Sequence, residues 1–163
     1  MSVFRTITEF GVSFSRTRAE RRNIVLTNLI SLTAAAVPTC ILLGRLFFYD
    51  QSFGGSSRLL LGSLFLLLPI FMNKMGFVNA SRVVLCWIPF IYLFGGQVVG
   101  IRESEAYQPS GYLVVRYFFL GFGCFPFLVF GLKETKLLVA GLLGPFLSIV
   151  LFDPILNLFN VGY

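Results

Sequence analysis

The chain has 163 residues, 56% of them hydrophobic and 12% charged, with a mean hydropathy of +0.85. Soluble domains carry about a quarter charged residues, so this composition leaves too little polar surface to cover a water-soluble core. Histidine is absent, which removes the commonest metal ligand and the commonest general base. The net charge is +6, and five of the 13 basic residues sit just ahead of an apolar run, a distribution that suits membrane topology rather than nucleic acid.

Residues 1–22 form a polar, basic leader holding Arg5, Arg16, Arg18, Arg21 and Arg22. Phe4, Ile7, Gly11 and Phe14 recur at three- and four-residue steps, the pattern of a short amphipathic helix on the cytoplasmic membrane face. The leader is too long, and the apolar run after it too long, for a cleavable signal peptide. Asn23 is the expected cap of the first spanning helix.

Residues 23–163 read as an all-α, polytopic transmembrane bundle. Five apolar runs, at about 24–49, 59–73, 83–101, 112–131 and 137–152, meet the requirement that only helices or closed barrels cross a bilayer about 30 Å thick. The second and fifth are short. Gly54-Gly55-Ser56-Ser57 between the first two reads as a flexible outer turn, without the spacing or lysine of a phosphate loop. Each run holds one proline, namely Pro38, Pro69, Pro89, Pro126 and Pro145. These serve either as hinges lining a cavity or as the ordinary proline usage of membrane helices. Cys40, Cys86 and Cys124 lie within the runs and have no paired spacing, so neither a disulfide nor a metal framework is indicated.

Loop charge sets the topology. The leader, the 73–82 loop and the 132–136 loop hold nine basic residues, against four on the opposite side. The positive-inside rule then puts the N-terminus in the cytoplasm and the chain in the plasma (bacterial inner) membrane. Asp153-Pro154 is expected to end the fifth helix. The tail through Tyr163 reads either as an outer loop about to enter a sixth span, so that these are the first five of six, or as a short interfacial tail.

Candidate ligand-binding residues follow from charge and polarity inside the apolar runs. Arg45 and Arg116 lie near the outer ends of the first and fourth spans, where charge is costly and marks function unless it snorkels. Asp153 is a partner for Arg116, and such a pair would be structural. An arginine left open over a cavity would suit an anionic or carbonyl-bearing ligand. Tyr112 crowds the same rim as an interface residue. Gln97 lies within Gly96-Gln97-Val98-Val99-Gly100, a GxxxG pattern that marks helix packing or a homodimer face. No catalytic or metal-binding motif is present and no cofactor is indicated, so any catalysis would belong to a further cytoplasmic domain.

Arg21-Arg22-Asn23, Ser81-Arg82, Lys133-Glu134, Phe152-Asp153-Pro154 and the closing Phe159-Asn160-Val161-Gly162-Tyr163 together resemble the multi-helix membrane input region ahead of bacterial sensor histidine kinases and class III adenylate cyclases. That resemblance implies six spans, the last leading into a cytoplasmic coiled coil and catalytic domain; this sequence carries five spans and no catalytic domain. The expected function is an integral membrane sensor or receptor module of a signal-transduction protein, binding a small lipophilic or anionic ligand near the outer half of the bundle. The alternatives are a small oligomeric transporter or channel subunit, or a ligand-free membrane scaffold subunit. Polar candidates for a transport path are few: Asn28, Ser31, Thr33, Thr39, Ser63, Gln97 and Ser148.

Overall fold

The computed structural model describes residues 3–15, 17–48, 53–103 and 109–158; within the helices, the side chains at 45, 46, 48, 53–59, 93, 96–103, 109–115 and 156 are not among those described. Among the described residues the chain is all α. Its helices are α1 (Val3–Thr8), α2 (Arg18–Phe48), α3 (Phe53–Lys74), α4 (Val78–Glu103), α5 (Pro109–Phe122), α6 (Phe125–Val129) and α7 (Thr135–Leu158), with a 3-10 turn at Val12–Phe14 before α2. Among the described residues two are long and apolar enough to cross a membrane, over Arg18–Gly44 and Thr135–Ile155. The chain divides into two compact units, Met1–Leu85 and Cys86–Tyr163.

The leader differs from the single amphipathic helix its periodicity suggests. After α1 the backbone turns at Gly11, whose φ of +84° is left-handed and suits glycine. A second helix then starts on a capping box: Thr17 Oγ1 accepts from the Glu20 amide at 3.2 Å, and Glu20 Oε2 accepts from the Thr17 amide at 3.1 Å. Asn23 is therefore inside α2 and does not cap it.

Two expected breaks are absent. Gly54-Gly55-Ser56-Ser57 lies in the first turns of α3 instead of forming a loop. Helix α7 runs through Pro154 to Leu158. Pro154 has no amide to give, so the helix passes it with one backbone bond missing. At 22 and 24 residues, α3 and α7 are about 33 and 36 Å long, so the short second and fifth runs are parts of longer helices. The fourth run is instead broken between α5 and α6, at Gly123-Cys124. Pro126, which has no amide proton to give, is buried in the first turn of α6. Pro38, Pro69, Pro89 and Pro145 are buried inside otherwise continuous helices.

In the Met1–Leu85 unit α2 and α3 form the main helix pair, with the Thr39 and Ser63 hydroxyl oxygens 3.1 Å apart between them. Helix α3 ends in a Schellman motif: the Phe77 amide bonds to Met72 O at 2.9 Å and the Gly76 amide to Asn73 O at 3.0 Å, with Gly76 left-handed at φ +87°. In the Cys86–Tyr163 unit the core is aromatic. Phe119 is fully buried, its ring centroid 5.5 Å from Phe90 and 5.4 Å from Phe152. Phe94 meets Phe152 edge-on at 5.7 Å.

Candidate functional site

In the Cys86–Tyr163 unit, α4 and α7 bound an apolar groove of about 380 Å³. Helix α4 lines it with Trp87, Phe90, Ile91, Phe94 and Gly95, a stripe at three- and four-residue steps that keeps one helix face toward it. Helix α7 supplies Gly144, Leu147, Ser148, Leu151 and Ile155, a second stripe of the same period. Glycine sets the width at two points. A methyl at Gly144 would stand 3.1 Å from the Trp87 ring, whereas one at Gly95 meets nothing within 4 Å. The Trp87 indole N–H donates to the Ala140 carbonyl at 2.9 Å, so the lining presents one hydroxyl, Ser148, and no charge.

Arg116 and Asp153 are brought together, the guanidinium Nη2 donating to Asp153 Oδ2. The pair joins α5 to α7 and is 42% and 50% exposed, with the guanidinium carbon 6.0 Å from the Phe152 ring centre. On a helix of 3.6 residues per turn, Asp153 stands roughly half a turn from Leu151 and Ile155. The ion pair and the groove therefore use different faces of α7. Arg45, Gln97 and Tyr112 lie on α2, α4 and α5, but their side chains lie outside the described residues.

The Met1–Leu85 unit holds a polar arrangement that hydropathy does not reveal. The Ser81 hydroxyl donates to Asn73 Oδ1, and Asn73 Nδ2 donates to Asn28 Oδ1 at 2.7 Å. Asn28 Nδ2 then gives its two protons to the carbonyls of Thr8 at 3.0 Å and Phe10 at 2.9 Å. All three side chains are fully buried. The relay fastens the leader to α2, α3 and the start of α4. Gly11 seals it, because a methyl there would come 2.3 Å from the Asn73 carbonyl oxygen. Arg82, one of the basic residues of the 73–82 loop, is only 2% exposed and donates to Asn79 Oδ1 at 3.4 Å. The single signal for this relay was Asn28 inside an apolar run; Asn73 and Ser81 carry no periodicity that marks them.

No protein-family model, curated protein or solved structure matches this chain.

Proposed function

We propose that the chain is an integral membrane sensor or receptor module that takes a small, uncharged lipophilic ligand in the α4–α7 groove. In this reading it crosses the membrane five times, with the N-terminus in the cytoplasm. Support for the membrane setting comes from the large apolar side chains left exposed along the helices, among them Val37, Phe65, Phe71, Ile91, Phe146 and Val150 at 52–64% or so of their free area. Only 28% of the most apolar window of either long helix is buried, whereas a core helix of a water-soluble protein is mostly covered. The excess of Lys and Arg in the leader and the inner loops supports the orientation.

The ligand reading is carried by one observation, the pair of matched apolar stripes with a glycine gap and no charged lining. Such a groove rewards an alkyl or ring system and penalises an anion, which would lie there without a counter-charge. Because Arg116 pairs with Asp153 on another face of α7, the anionic-ligand alternative loses its best residue. Signalling then requires that the ligand bind two helix packings with different affinity.

A diazirine-bearing fatty alcohol, photolysed with the full chain in liposomes, tests the reading. Adducts should concentrate on residues 87–95 and 144–155, and Gly95→Leu, which fills open space, should reduce them several-fold. Adducts spread evenly over the exposed apolar surface would end it. Solute flux through liposomes holding this chain alone would put a transporter in its place.

A further inference from the structure

The leader carries more than its fastening to the helices. Glu9 Oε1 lies 3.1 Å from Arg5 Nε and 4.0 Å from Arg21 Nη2, so one carboxylate is shared by two guanidinium groups. Arg18 and Arg22 are exposed one turn apart on the same end of α2, and Lys74 Nζ stands 5.3 Å from the centre of the Phe10 ring. Glu20, the second acid nearby, has its carboxylate bonded to the Thr17 amide. Large apolar side chains are exposed on the same segments: Val3 at 75%, Phe4 at 53%, Phe14 at 54% and, just past α3, Met75 at 69% and Phe77 at 57%.

We infer that α1, the 3-10 turn and the adjoining ends of α2 and α3 form a foot that binds anionic phospholipid headgroups. The cations match the phosphate charge, and the aromatic and aliphatic side chains enter the headgroup–acyl boundary. That combination selects a lipid surface, because a nucleic acid or an acidic peptide offers nothing for Val3, Phe4 or Met75 to enter. The Asn28 relay gives the foot a fixed shape, so its headgroup contacts come from three chain segments and not from one floating helix. The inference rests on the membrane reading but not on the groove ligand.

Native mass spectrometry of the full chain, released from micelles doped with equal phosphatidylglycerol and phosphatidylcholine, tests it. The protein should retain phosphatidylglycerol about tenfold over phosphatidylcholine, since a basic cluster favours the anionic headgroup. Replacing exposed arginines by R18Q/R21Q/R22Q should lower that ratio about fivefold, while K133Q/K136Q should leave it unchanged. Equal retention of the two lipids, a ratio indifferent to the triple substitution, or an equal loss from the lysine pair would each overturn the foot. Recovery of the chain as a monomer in detergent-free buffer would overturn the membrane reading as well, which separates the two failures.

Discussion

The two units are held together by different chemistry. In Met1–Leu85 the decisive contacts are directional: three buried side chains pass a hydrogen-bond relay from Ser81 to the Thr8 and Phe10 carbonyls, and two left-handed glycines set the turns around it. In Cys86–Tyr163 the core is a set of phenylalanine rings at 5.4 to 5.7 Å, with an indole bond and a half-exposed ion pair among its polar ties. Directional bonds tolerate one geometry. Ring packing accepts rearrangement at modest cost, so the second unit should tolerate a shift in helix packing better than the first.

That contrast breaks down or sharpens under four substitutions. The largest effect belongs to Gly11→Ala, where a left-handed backbone and a 2.3 Å approach to the Asn73 carbonyl combine to cost about 3 kcal/mol. Thermal unfolding in detergent measures it, and Gly95→Ala, with open space around it, should stay near the parent. Next comes Asn28→Ala, which strands the Asn73 amide and two carbonyls for about 2 kcal/mol; limited proteolysis should then cut residues 9–17 faster. Phe119→Leu keeps the site apolar and should cost about 1 kcal/mol. If it proves as damaging as Asn28→Ala in the same melt, the second unit is as geometry-bound as the first and the contrast fails. Smallest is Arg116→Gln: an ion pair this exposed is worth less than about 1 kcal/mol, and a larger drop in melting temperature would reveal a polar lock in the aromatic unit too.

The all-helical class was legible because long apolar runs with few charges have one simple solution in this composition. Helix ends were harder. The proline rule marks Asp153 as a stop, yet α7 continues through Pro154, since the rule is a local preference that an apolar helix can override. The Thr17–Glu20 box is present in the letters, and it starts α2 six residues ahead of Asn23. At the candidate site, the Arg116–Asp153 pairing was weighed from charge alone and the structure brings the two together. The groove was not visible, because it depends on which faces of α4 and α7 meet, and both helices are apolar nearly all round. The Asn28–Asn73–Ser81 relay escaped for a related reason: its members are 45 and 8 residues apart, and only tertiary packing joins them.

Trp87 is the sole tryptophan in the chain; it lines the groove, and its indole is held by the Ala140 carbonyl. An intrinsic optical reporter therefore stands in the groove lining itself. Excitation near the red edge of the protein band will follow that ring alone, so emission maximum and quenching by brominated hydrocarbons read the compartment directly, without a dye or a cysteine label.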